Sequence, residues 1–326
     1  MRPILLAGLA IAALSVLPRP ATAQEAEKPP GPWSNSTELS LVVTQGNSST
    51  TSFGFKDTLE HKKDRYRSRF RIDSLRTTKN DDPFLLVDSG LTFEPGETIT
   101  DPPTSAVRPA AEPDVERYFA EGRYERNFSK KAFWTRAATW NGGASWDRNE
   151  DAGILNRYIA FAGIGNTWVN RDDLAFRTSY GASFTDREEE IEDPEKEQRF
   201  AGIRLTSDFK DKWGASTTYD NDFTFNISVE DWSDYNADLT QGLSVSMSKR
   251  LSLKLSLQFL YANEPALEEV DLIARVELVD PDGIPGNGDE FFQTVDSGGV
   301  EITLGEDSLR KKALDTTFRT SLLITF

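Results

Sequence analysis

The chain has 326 residues, no cysteine, a single histidine and a formal charge of −16. That acidity excludes a nucleic-acid binder, which needs a basic face, and the lack of cysteine excludes a disulfide scaffold or a thiol nucleophile. After residue 23 no apolar run reaches about 18 residues, which excludes a spanning helix but not a β-barrel, whose strands are apolar only at alternate positions.

Residues 1–23 combine Arg2, the apolar run "ILLAGLAIAALSVL" and the small-x-small triplet Ala21, Thr22, Ala23. This is the pattern of a cleaved secretory signal peptide. No cysteine follows the run, so a bacterial lipoprotein is excluded. The mature chain is expected to start at Gln24 with a charge of −18. Residues 24–35 then form a short periplasmic segment, and 36–326 the barrel domain.

The strand signal is strict alternation. In 174–184, Leu174, Phe176, Tyr180, Ala182 and Phe184 oppose Arg177, Ser179 and Ser183. In 235–247, Tyr235, Ala237, Leu239, Leu243, Val245 and Met247 oppose Asn236, Asp238, Thr240, Ser244 and Ser246. In 250–262 every odd position from Leu251 to Tyr261 is apolar, against Ser252, Lys254, Ser256 and Gln258. The chain's last residues repeat the pattern: Leu314, Phe318, Leu322, Ile324 and Phe326 share one face. These templates predict about twelve strands: 36–45, 50–60, 65–76, 114–127, 131–141, 155–168, 173–184, 197–208, 212–224, 233–247, 250–262 and 312–326. No stretch has a helical period. Lengths at or above the ~9–11 residues that cross a bilayer when tilted give the expected fold: an all-β, antiparallel, up-and-down transmembrane barrel.

The connections alternate in length. "HKKD" (61–64), "FSK" (128–130), "VNRD" (169–172), "FKD" (209–211) and "SK" (248–249) are tight turns, as is the first hairpin, "GNSS" (46–49). Between them lie 77–113, 142–154, 185–197, 225–232 and 264–311. Outer-membrane barrels have short periplasmic turns and longer external loops, which puts every long segment outside. Those segments carry −25 together, leaving +7 for the rest of the mature chain. Solvation explains acidic loops but not their confinement to one side.

The segment "WSNSTELSLVVTQGNSSTTSFGF" (33–55), a Trp followed by two alternating strands around "GNSST", resembles the YdiY-like family of salt-induced outer-membrane proteins, whose function is unknown. Weaker similarity runs through "RYRSRFRIDSLRT" and the C-terminal strands. The resemblance implies fold and location and brings no catalytic residues. Phe326 also resembles the terminal aromatic of outer-membrane proteins, which implies recognition of the last strand by the barrel-assembly machinery. Lipids and lipopolysaccharide are the other expected partners, and a monomer the expected state.

Inward-facing charges are the candidate site. Arg67, Arg69, Arg71 and Asp73 share one strand face, and Arg117, Glu121, Arg123 and Glu125 the next. Arg136, Arg177 and Arg204 continue the basic side. Asp220, Asp222, Asp238 and Asp315 follow toward the C-terminus, with Lys254 and Arg319 among them. Two readings stand: an ion-pair network that fills the lumen, or a pore whose basic wall faces a more acidic one and selects solutes. Asp280, Asp282, Asn287, Asp289 and Glu290, among glycines, offer oxygen ligands suited to Ca²⁺ without EF-hand spacing; a solvated acidic loop is the favoured reading. "REEEIEDPEKE" (187–197) reads as a repelling, solvated tip. Catalysis is not expected: His61, the only candidate imidazole base, falls in a tight turn beside two lysines, and no cofactor is implied.

Overall fold

The computed structural model describes residues 31–45, 50–63, 65–76, 84–94, 102–107, 116–129, 138–281 and 291–326. Residues 1–30, the "GNSS" apex, Arg136 and residues 282–290 lie outside them. The strands, in chain order, are β1 (Trp33–Gln45), β2 (Thr50–Lys63), β3 (Tyr66–Arg76), β4 (Phe84–Val87), β5 (Thr92–Phe93), β6 (Thr104–Val107), β7 (Glu116–Ser129), β8 (Ala138–Asn149), β9 (Ile154–Asn170), β10 (Leu174–Glu189), β11 (Arg199–Trp213), β12 (Thr217–Ser228), β13 (Tyr235–Ser246), β14 (Leu251–Ala262), β15 (Leu267–Val279), β16 (Phe291–Thr294), β17 (Val300–Arg310) and β18 (Leu314–Thr325).

Twelve of these close into an antiparallel barrel in the order β1, β18, β14, β13, β12, β11, β10, β9, β8, β7, β3, β2. Closure joins the first strand to the last: Ser36 pairs with Thr325 and Gln45 with Thr316. The Phe326 amide donates to the Asn35 carbonyl at 3.0 Å, so the ladder runs to the end of the chain. A closed ring leaves no unpaired strand edge in lipid.

The alternation sorts side chains as expected. Along β14, Leu253 is 44% exposed and Leu255 40%, while Lys254 and Ser256 are each 8% exposed. The apolar face meets lipid and the polar face meets the lumen. Aromatic rings mark the rims. At the short-turn rim Trp33, His61, Tyr66, Tyr124 and Trp140 form a chain of ring contacts 4.4–6.2 Å apart. Trp213 stacks on Tyr219 at 5.7 Å on the same rim. Phe225, Tyr235 and Tyr261 line up at the other.

Several boundaries differ from expectation: β1 starts at Trp33 rather than 36, β10 runs to Glu189 rather than 184 and β12 to Ser228 rather than 224, and three further differences have local causes. The fifth barrel strand, β8, continues to Asn149 rather than ending at 141, because Gly142 and Gly143 lie inside it and not in a loop. A Cβ on Gly143 would sit 2.2 Å from the Gly122 carbonyl and 2.7 Å from Phe161 Cζ, so the glycine is a seat for that ring. "FKD" (209–211) is part of β11, and the turn comes at Gly214, whose φ of +72° lies in the left-handed region that favours glycine. His61 belongs to β2 and points outward into the aromatic row rather than lying in a turn.

The two longest connections are not simply solvated loops. They fold together into a second sheet in which β15 pairs with β17, β16 and, in parallel, with β4; β6 joins β4, and β5 joins β16. Val87, Phe93, Ala274 and Val276 are its buried core, packed by Leu91, Leu272, Phe292, Ile302 and Leu304. Thr294, 1% exposed, accepts from the Leu91 amide and donates to the Asp88 carbonyl, both at 2.8 Å, pinning one insertion to the other. Ion pairs tie the root of this sheet to the barrel rim. Arg310 lies 2.9 Å from Asp193, and Lys196 Nζ donates to Glu189 at 2.6 Å and to the Glu264 carbonyl at 3.0 Å.

Candidate functional site

Every second side chain of the wall strands points inward, and β3 thereby presents Arg67, Arg69, Arg71 and Asp73 to the lumen. Arg69 reaches two ways. One nitrogen lies 3.2 Å from Glu121 on neighbouring β7, and another 3.7 Å from Asp208 on β11. β3 and β11 are five places apart in a ring of twelve, so this contact joins nearly opposite walls. Arg204 on β11 returns to Glu121 at 3.4 Å. Asp222 sits directly across the β11/β12 ladder from Asp208, their carboxyls in hydrogen-bond contact.

Around this crossing the other selected residues find partners. Arg67 pairs with Glu60 and lies 3.9 Å from Glu125. Arg123 lies 2.8 Å from Glu125 and donates to Ser179 Oγ at 3.1 Å. Arg71 stacks over the Phe119 ring at 4.4 Å. Arg319, from the closing strand, donates to both oxygens of Asp73 at 2.7 and 2.8 Å, and Arg117 is an electrostatic neighbour of both. Lys254 spans from Glu38 at 3.1 Å to Asp220 at 3.5 Å. Gln258 donates to both oxygens of Asp238 at 2.9 and 3.0 Å. Arg177, near the short turns, donates to Asn170 at 3.2 Å. Asp315 takes an inward position opposite Leu260 and also has a polar partner.

The charges do not separate into a basic and an acidic wall. Arg204 and Asp208 share β11, and Asp73 follows three arginines on β3. Such pairs add little net stability while intact, but losing one partner costs about 3–5 kcal/mol. The network therefore dictates how the lumen is filled more than how strongly the barrel holds.

Several interior residues escaped the sequence reading. Leu75, Ile159, Phe161 and Phe200 are buried inside the ring, and the last two lie under Arg204 and Arg187 at 4.5 and 5.0 Å. The parity of Ile159 and Phe161 with Arg157 was the available signal. The "REEEIEDPEKE" run is not a solvated tip throughout. Arg187 pairs with Asp234 at 2.8 Å and with Glu189 at 3.4 Å, while Glu189 and Lys196 are buried. On the outer sheet Asp271 sits across from Glu306, whose carboxyl is hydrogen-bonded to that of Glu269. That contact, and the repulsion that accompanies it, hold Glu306 above the usual carboxylate range. Of the calcium candidates, Asp280 directly follows β15; Asp282, Asn287, Asp289 and Glu290 lie outside the described residues.

A closed antiparallel ring, apolar outside and charge-filled inside, with short turns on one rim and large insertions on the other, defines a transmembrane β-barrel of the outer-membrane class. The chain belongs to the family described as a protein of unknown function, DUF481, whose model matches residues 37–279. The YdiY-like resemblance is consistent with that family. No curated protein matches the chain. Among solved structures it is similar to the NanC porin (9% identity, TM-score 0.46, covering 88% of this chain and 98% of that one). It is also similar to the KdgM porin in complex with disordered oligogalacturonate (8%, 0.38, 89% and 99%) and to the toluene transporter TodX of P. putida (8%, 0.32, 91% of each).

Proposed function

We propose that this protein is an exported outer-membrane barrel whose lumen is closed by its own ion pairs. It serves the envelope as a structural or stress-response element, working through the acidic sheet on its outer rim. One observation carries the reading: Arg69 contacts Asp208 across nearly the full ring. In this reading the short turns face the periplasm and the second sheet meets the lipopolysaccharide layer. The barrel acts as a monomer and reaches the membrane through recognition of β18. The test is single-channel recording in a planar bilayer, with the folded state confirmed by heat-modifiable migration. The expected result is silence; a steady open-channel current from the wild-type protein overturns the closed lumen.

The competing reading is a charge-lined pore. It is favoured by buried guanidinium nitrogens without acceptors, Nε and Nη2 of Arg319 and Nε of Arg71, which a passing anion could engage. It requires conductance, and a shift toward cations in Arg69→Glu that grows at low salt, where screening lengths exceed ~10 Å.

A further inference from the structure

The barrel closes every one of its strand edges, but the outer sheet does not. Among the described residues β17 pairs with β15 alone and has no strand on its other side. The sheet's other end strands, β5 and β6, have two and four residues, whereas β17 has eleven, eight of them exposed. An unpaired edge of that length is a template for a further strand.

The register shows which backbone groups are free. The Lys311 amide donates to the Ala266 carbonyl at 3.0 Å. Bonded and unbonded pairs alternate along an antiparallel ladder, so Leu309 and Asp307 turn their backbone groups to β15, and Arg310, Ser308 and Glu306 turn theirs to the open side. Past the irregularity at Leu272/Ile273, the Arg275 carbonyl accepts from the Val295 amide, away from β17. Glu301, paired with Arg275, and Thr303, paired with Ile273, therefore also face the open side.

The edge has two unlike faces. Glu301, Thr303, Glu306 and Ser308 lie on one, beside Glu269 and Asp271 of β15. Arg275 donates to Glu301 at 2.9 Å, but Glu306 meets the carboxyls of Glu269 and Asp271. Among the described residues no three carboxylates are arranged to hold a metal ion. Val300, 66% exposed, lies on the other face with Ile302 and Leu304, which pack against the sheet's core. A second copy of β17 laid antiparallel along the edge would continue the same acidic face, and like charges across a ladder are destabilising. A basic strand meets the opposite condition.

We propose that β17 is a docking edge for an extended segment of a partner protein in which basic and apolar residues alternate. The segment adds to the sheet through the free backbone groups, with its basic side chains beside Glu301 and Glu306 and its apolar ones beside Val300, Ile302 and Leu304. This rests on the outer sheet being the protein's working surface and names what that surface takes.

The test uses the full barrel in phosphatidylcholine nanodiscs, with empty discs as the blank, and two capped peptides of one composition, with lysine and valine either alternating or in two blocks. The alternating peptide is expected to bind about tenfold more tightly than the block isomer and to slow amide exchange at Glu301, Thr303, Glu306 and Ser308. Thr303→Pro removes an edge amide that β15 does not use and is expected to weaken binding about tenfold. Glu306→Gln weakens it less and makes it less sensitive to salt. Methylating the peptide nitrogens that face the edge is expected to abolish binding to wild-type protein, a result that needs no variant to fold. Equal binding of the two isomers, or undiminished binding of the methylated peptide, means charge attraction without strand addition and overturns the proposal. So do protected edge amides in a peptide-free dimer, which put a second copy on the edge. A steady channel current would overturn the closed lumen and leave peptide binding standing, while failed peptide binding leaves a silent barrel silent, so the two failures are told apart.

Discussion

The Arg69–Asp208 contact offers the sharpest measurement of how the lumen is filled. Replace Arg69 with Met and Asp208 with Asn, singly and together, and determine unfolding free energies in urea from lipid vesicles. At the observed 3.7 Å separation, Coulomb's law gives about 4–5 kcal/mol at an effective dielectric of 20 and about 1 kcal/mol in bulk water. The two environments thus differ several-fold in the coupling energy, which the double-mutant cycle isolates from the separate losses of the Glu121 and Asp222 contacts. A lumen packed with its own side chains predicts coupling above about 2 kcal/mol that barely changes between low and high salt. A wide, water-filled lumen predicts coupling below about 1 kcal/mol that fades as the screening length shrinks. Weak, salt-sensitive coupling would refute the claim that opposite walls are bridged in a dry interior, whatever the bilayer recordings show.

Four further outcomes are expected. Leu255→Arg places a cation on the lipid face and should lose about 2–4 kcal/mol, whereas Gln258→Arg, inward and already bonded to Asp238, should fold normally; equal stability of the two in detergent refolding would mean that β14 is not a membrane wall. Phe326 is 71% exposed and bonds Asn35 only through its backbone, so Phe326→Asp should leave the purified barrel's stability nearly unchanged while lowering the heat-modifiable fraction assembled in cells. A membrane-impermeant thiol label on intact cells should reach a cysteine at Ser297 and miss one at Lys63; the reverse pattern would invert the topology. Glu306 has a raised pKa, so the folded outer sheet binds more protons than the unfolded segment and gains stability as pH falls through that raised value; β17 amide protection factors, with intrinsic exchange divided out, should rise as pH is lowered toward the carboxylate range, and Glu306→Gln should flatten that rise.

The barrel was readable because its physics is local. A strand with lipid on one side and charge on the other must alternate residue by residue, as 251–261 does. The alternation of short and long connections then supplied the sidedness. Boundaries failed where a residue's role depended on a neighbour strand. Gly142 and Gly143 carry a loop composition, yet they lie in a strand, where Gly143 leaves room for the Phe161 ring from β9. "FKD" looks like a turn because it is charged, but Lys210 faces the lumen one residue after Phe209 joins the outer aromatic row with Phe176 and Tyr219.

What escaped the reading shares a cause. The pairings that fill the lumen connect positions such as Arg69 and Asp208, or Asp73 and Arg319, that are 139 and 246 residues apart. No spacing rule along the chain relates them. Parity assigned each side chain to the interior, but the partner depends on strand tilt and on which walls face each other, properties of the closed ring alone. The outer sheet is the same case at larger scale. Residues 84–107 and 267–310 are each too short in apolar content to hold a core, and each reads as an acidic loop. Brought to one rim by the barrel, Val87 and Phe93 from the first insertion meet Ala274 and Val276 from the second, and a sheet forms that neither segment could form alone. The barrel's topology is thus the condition for the outer sheet, and the contacts at its root, Arg310 with Asp193 and Lys196 with the Glu264 carbonyl, are where a change in one would be felt by the other.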